Sequence, residues 1–149
     1  PPRINSIISV VNAPPDALFD LLASLGLEGG EDTLNNAVIM EFFDYGKMKY
    51  FDDAEVYVEK EPITLVIVHY EVDFVGQILR GDHPEVWTKV VRFGNKSLEV
   101  LQYIVCDGEV KSICKTIMSG YNREKQISEV IPERIKMAIE RYEYETQNN

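Results

Sequence analysis

Four carboxylates gather around one aromatic-rich stretch of this chain. Glu31 and Asp32 stand just before LNNAVIMEFFDYGKMKYF, residues 34–51, and Glu41 and Asp44 lie within it. The stretch carries a helical repeat. Its first amides are therefore donors without intrahelical partners, at the positive end of the helix dipole. Aimed at a carbonyl oxygen, the amides from Asn35 to Val38 can stabilise a developing oxyanion. A carboxylate close by can act as general base toward water, or attack directly. The candidate catalytic residues are Asp32, Glu31, Asp44 and Asn36. Each carboxylate also has a plainer use. Glu31 and Asp32 complement the dipole, an effect of about 0.3–1 kcal/mol. Asp44 is a charge on the polar side near Lys47 and Met48, and Glu41, one turn earlier, has a solvated or interface role.

The elements that must position these groups follow from hydropathy spacing. Val38, Ile39, Phe42, Phe43, Gly46 and Tyr50 form one broad apolar face, which predicts a helix over 35–51 capped by Asn35 or Asn36. Gly46 inside a helix costs stability relative to Ala, so it implies close approach to a sheet. Residues 4–11 read as a strand. Pro14-Pro15-Asp16 then opens a short amphipathic helix over 16–25, and Gly26, Gly29 and Gly30 end it. Beyond residue 62 the period changes to two. Strands are expected at 63–75, 85–93, 97–105 and 109–121, with tight turns at Gly94-Asn95 and Asp107-Gly108. The last three form an antiparallel meander. A closing helix spans 131–145, with Pro132 in its first turn. A lone helix with a wide apolar face must be wrapped by something. The fold class is α+β, with a curved antiparallel sheet around one long central helix, the layout of the hot-dog fold.

The 149 residues suffice for one domain with a proper core, and 45% are apolar. A net charge of -10 argues against sequence-independent nucleic-acid binding, which needs a field of Lys and Arg. An anionic small ligand fits only where basic residues cluster. The longest apolar run, residues 63–68, is too short to span a bilayer, and no membrane partner is expected. The first residues lack a basic segment followed by a long apolar core, so a cytoplasmic location is expected. In the register set by Asp107-Gly108, Cys106 faces Glu109 and Cys114 faces Leu101. Thiols so far apart cannot bridge, and both cysteines are read as reduced. His69 reads as a half-buried strand residue, and His83 as an exposed loop residue. No Ser-x-x-Lys, Gly-x-Ser-x-Gly, Walker or metal-ligand spacing is present.

LNNAVIMEFFDYGKMKYF resembles the central-helix signature of acyl-CoA thioesterases of the 4-hydroxybenzoyl-CoA thioesterase-like family. HYEVDFVGQILRGD resembles the strand and loop that follow it there, VVRFGNKSLEV a Gly-x-x-Ser turn, and IPERIKMAIERYE the usual C-terminal helix. The resemblance covers about residues 34–145. It implies a single hot-dog domain over residues 1–149, with 1–33 atypical, assembled as a homodimer or homotetramer with its site at a subunit interface. It implies hydrolysis of an acyl-CoA to free acid and coenzyme A. Asp44 stands where relatives often keep an acidic residue, and some hot-dog thioesterases place their carboxylate on this helix, from the facing subunit. A coenzyme A site is implied too, and its phosphates need fixed cations. Arg92, Lys96 and Ser97 surround the Gly94-Asn95 turn, and Arg80 lies in the loop before the next strand. No metal or organic cofactor is implied, since coenzyme A arrives as part of the substrate. One departure stands out. In many relatives an Asp lies four residues before a His ahead of the helix, and here Gly29 and Thr33 hold those positions. The alternative reading is a non-catalytic hot-dog protein that binds acyl thioesters or acts as an assembly module. Carrier-protein thioesters are a further substrate class to weigh.

Overall fold

The aromatic stretch folds as helix α1, Asn36–Asp53, and it buries the whole apolar face expected of it, with Lys47 and Phe51 added. The computed structural model describes residues 9–12, 36–79 and 81–147. The helix expected at 16–25, Glu31, Asp32 and Arg80 lie outside the described residues. Strand β1 is Ser9–Asn12, which overlaps the far end of the strand expected over 4–11 and runs one residue past it. After α1 come β2 (Ile63–Phe74), β3 (Glu85–Phe93), β4 (Ser97–Cys106), β5 (Glu109–Asn122), a short β6 (Ile127–Glu129) and helix α2 (Glu133–Gln147).

The strands form one antiparallel sheet in the order β1-β3-β4-β5-β2. The expected meander is β3-β4-β5, while β2 crosses over to pair with the far side of β5. Strand β6, which the hydropathy pattern did not signal, pairs with Gly120–Asn122 beyond the end of β4. Asp107 and Gly108 both take left-handed backbone angles, φ 52° and 80°, as a two-residue hairpin loop requires.

Helix α1 packs on one face of the sheet, in the hot-dog arrangement. Its first half, through Val38, Ile39, Phe42 and Phe43, meets Val86, Ile104, Cys106, Cys114 and Ile78. Its second half, through Tyr50 and Phe51, meets Val90, Leu98, Val100 and Met118, and there α2 adds Ile135 and Ile139. Gly46 marks the closest approach. A Cβ added there would lie 2.5 Å from Val86 Cγ1 and 3.0 Å from Gln102 Nε2. The opposite face of the sheet carries its own cluster of Leu101, Tyr103 and Val105 with Trp87, Val110 and Ile113.

Three bulges interrupt the sheet, the last between Val90 and Arg92 in the pairing of β3 with β4, and the first corrects an expected register. Between Ile104 and Val105 the pairing of β4 with β5 shifts by one, so Cys114 faces Gln102 rather than Leu101. A one-residue slip turns every following side chain to the other face, and it carries Cys114 under α1, where it is fully buried. Cys106 does face Glu109, and both thiols are free. The second bulge, between Ile67 and His69, interrupts β2. His69 beside it is exposed rather than half-buried, with its ring 3.0 Å from Glu71. His83 is exposed, as expected.

Candidate functional site

The candidate oxyanion donors lie at the leading end of α1. Asn36 is its first residue, and Asn36 and Ala37 are both exposed. No acidic side chain sits in the helix's first turn. The positive end of the dipole is thus not neutralised from within the helix's first turn. Asn35, the residue before the helix, falls outside the described residues, so Asn36 contributes as the first helical position.

Asp44 lies about two turns further along, at the rim of the sheet. Its side chain is half exposed, at 50%. One oxygen, Oδ1, accepts a hydrogen bond from Tyr70 Oη of β2 at 2.5 Å and lies 3.3 Å from Lys47 Nζ. No bond to Oδ2 is formed among the described residues. Burial pushes the Tyr70 hydroxyl upward, and its bond to Asp44 adds to the effect, so Tyr70 keeps its proton and donates. Glu41, one turn before, is exposed.

Lys47 was not among the expected site residues, yet it is 3% exposed. Its Nζ donates to Gln102 Oε1 at 3.2 Å and lies 4.8 Å from the centre of the Tyr70 ring. Burial pulls the ammonium below its ordinary range, opposed by Cys114 and Asp44. Gln102 is fully buried, and its Nε2 donates to the Phe43 carbonyl at 2.9 Å and to Thr88 Oγ1 at 3.0 Å. The signal for this network was present in the chain. Gln102 occupies an inward position of β4, between Val100 and Ile104, where a polar residue needs a buried partner.

The expected phosphate-binding group occupies the far end of the sheet. Arg92 and Lys96 are exposed and Ser97 is partly buried, all around the turn that joins β3 to β4. Gly94 N–H donates to the Ser97 carbonyl at 2.7 Å. The Lys96 carbonyl accepts from Gly120 N–H at 2.9 Å, which fastens the turn to β5. Arg92 faces Glu99 across the strands, a carboxylate in the middle of the group. Lys136 of α2 comes to the same turn, 5.6 Å from the centre of the Phe93 ring.

The family model of the thioesterase-like superfamily matches residues 31–139. The chain belongs to that superfamily. No curated protein matches it. Among solved structures, a thioesterase from Thermus thermophilus complexed with coenzyme A and zinc is 22% identical, at a TM-score of 0.75 over 95% of this chain and 98% of that one. A predicted thioesterase from Bacillus stearothermophilus is also 22% identical, at 0.70 over 90% and 96%. A hypothetical protein from Staphylococcus aureus in complex with CoA is 15% identical, at 0.71 over 94% and 87%. At these identities the likeness shows a shared hot-dog fold. Among the described residues of this member of the superfamily, no cluster of three or more His, Cys, Asp or Glu is placed to hold a metal ion. No helix there is long and apolar enough to cross a membrane.

Proposed function

We propose that the chain hydrolyses acyl-CoA thioesters to free acid and coenzyme A, with Asp44 as the carboxylate and the first amides of α1 as the oxyanion site. The observation that carries this reading is Asp44 itself. It is a half-exposed carboxylate with one oxygen held by Tyr70 and Lys47 and the other without a bond among the described residues, on the central helix of a thioesterase-like fold. The held oxygen fixes the group, and the other can activate water or attack the thioester carbon.

Geometry then requires two copies. The rise of an α-helix separates the Asn36 amide from Asp44 by about 12 Å along the axis. A reacting carbonyl must lie ~3 Å from both its donors and its attacking group. One copy therefore supplies the helix start, and the other supplies Asp44. The edge of β2, unpaired among the described residues, suits such pairing, with Ile67, Val68, Phe74 and Val75 exposed along and just beyond it. Arg92, Lys96 and Ser97 bind the nucleotide end of coenzyme A.

Thiol release from a panel of short, long and aromatic acyl-CoAs tests the reading, with Asp44→Asn, Asp32→Asn and Glu31→Gln beside the parent. Loss of turnover in Asp44→Asn alone is the expected result. Loss confined to Asp32→Asn or Glu31→Gln moves the carboxylate to the loop before the helix. Binding without turnover by the parent favours the non-catalytic alternative. Full activity toward acyl-CoA in Arg92→Ala and Lys96→Ala would point instead to carrier-protein thioesters.

A further inference from the structure

A surface carboxylate on a helix needs no buried lysine, and yet Asp44 has one. Lys47 enters the space between α1 and the sheet, where an unpaired ammonium is costly. A methionine of similar length would fill the same volume without that cost. The lysine is stabilised there by three groups from three elements: Asp44 of its own helix at 3.3 Å, Gln102 Oε1 of β4 at 3.2 Å, and the Tyr70 ring of β2 at 4.8 Å. Cys114 of β5 and Glu41 of α1 are the other titratable groups that bear on this cluster.

Gln102 is itself fixed. Both of its amide hydrogens are used, on the Phe43 carbonyl and Thr88, which leaves its oxygen turned toward Lys47. Gly46 makes this reach possible, because a side chain there would press on Gln102 Nε2 and Val86. The chain of contacts runs from a glycine that admits an amide, to an amide that orients an ammonium, to an ammonium that meets Asp44. Tyr70 reaches the same carboxylate oxygen from β2.

We propose that Lys47 and Tyr70 are positioning residues, which together pin Oδ1 of Asp44 so that Oδ2 is presented to the substrate. This deepens the reading of Asp44 given above and rests on it. Neither residue touches the thioester. Their effect is on kcat, through the fraction of time Asp44 spends in its productive rotamer, and not on the affinity for acyl-CoA.

Tyr70→Phe is the cleanest probe. It removes one hydroxyl and keeps the ring beneath Lys47. Kcat should fall by roughly 3–10-fold with KM unchanged, the size of a single hydrogen bond. Lys47→Met should lower kcat by roughly 10–100-fold, as for a bond to a charged group, and Lys47→Arg should recover part of the loss. In the Asp44→Asn background, neither Tyr70→Phe nor Lys47→Met should lower the residual rate further, because residues acting as a unit are not additive. A purely structural role would lower it again. An unchanged kcat in Tyr70→Phe and Lys47→Met, with Asp44→Asn inactive, overturns the positioning role and leaves Asp44 as the carboxylate. Full activity in Asp44→Asn overturns the reading of Asp44 itself. The side-chain carboxyl carbon resonance of Asp44 gives a measure independent of turnover. It should move in both variants while that of Glu143 stays put, and an unmoved Asp44 signal rejects the proposal.

Discussion

Two carboxylates in this chain are each held by a tyrosine and a lysine, and they differ in what remains open. Glu143 of α2 accepts from Tyr50 Oη and, at 3.1 Å, from the Val90 amide, with Lys89 3.6 Å from its other oxygen. Its side chain is 17% exposed. Asp44 is 50% exposed and has Tyr70 and Lys47 on one oxygen only. In the Glu143 cluster both oxygens are occupied, and three elements, α1, β3 and α2, are tied together around it. In the Asp44 cluster the donors stop halfway. A sealed carboxylate is a clamp between elements, whereas a half-held one keeps a lone pair for chemistry. On the proposed reading the same residue types serve two ends, and the second oxygen decides which.

The strongest way to break that contrast is to neutralise each acid in turn. Asp44→Asn should lower the rate of thiol release by about 10²–10⁴-fold, the usual contribution of a positioned base. Glu143→Gln should leave the rate per folded subunit within about twofold, while lowering stability by about 1–3 kcal/mol through its buried donors left without a charged acceptor. Urea melts run beside thiol-release assays separate the two effects. Equal kinetic losses in both variants would erase the distinction.

Gly46→Ala sharpens it from another side. The added methyl meets Val86 at 2.5 Å and Gln102 at 3.0 Å, so overpacking should cost about 1–3 kcal/mol. It should disturb the Asp44 cluster through Gln102 while the Tyr50–Glu143 bond survives. Thermal melts, together with the side-chain amide resonances of Gln102, check both parts. Tyr50→Phe should cost about 0.5–1.5 kcal/mol of stability, measured by urea denaturation, with no change in kcat. Tyr70→Phe should show the reverse pattern.

The smallest effect is alkaline. Burial, helped by Asp82 nearby, pushes the Cys106 thiol up from 9.0 to about 11, and Cys114 shifts the same way by burial. A group raised in the folded state contributes stability that is complete below its unfolded value. That contribution is lost as the pH climbs through the folded one. The urea midpoint should therefore begin to fall above about pH 9, and fall less in Cys106→Ala. Lys47 works in the opposite sense. Its folded value is lowered from 10.5, so its share of stability grows as pH rises toward that value and partly offsets the thiols. A midpoint that is flat between neutral pH and 11 in both proteins would contradict the direction assigned to Cys106.

Much of the fold was legible because it rests on local periodicity. The helix expected over 35–51 is found at Asn36–Asp53, and the strand expected over 97–105 at Ser97–Cys106. The turn at Asp107-Gly108 was written in residue types that tolerate left-handed backbone. Gly46 was read as a point of close approach, and Val86 and Gln102 fill that space. The bulges were not legible. A single extra residue in a strand leaves the alternating pattern almost intact, yet it moved Cys114 from the face of Leu101 to the face of Gln102. Nor was the burial of Lys47. On a helical wheel it borders the polar side with Asp44, and only the approach of Tyr70 from a strand distant in sequence encloses it.

By itself the sequence determined the types and order of α1, β2 to β5 and α2, the apolar face of the central helix and the resemblance to thioesterases. Hydropathy period and turn chemistry are properties of neighbouring residues, and they act before the chain is packed. Only the tertiary structure decided which carboxylate is held at one oxygen among the described residues and which is sealed. That choice depends on side chains brought together from α1, β2 and β4, and no spacing along the chain encodes their distances.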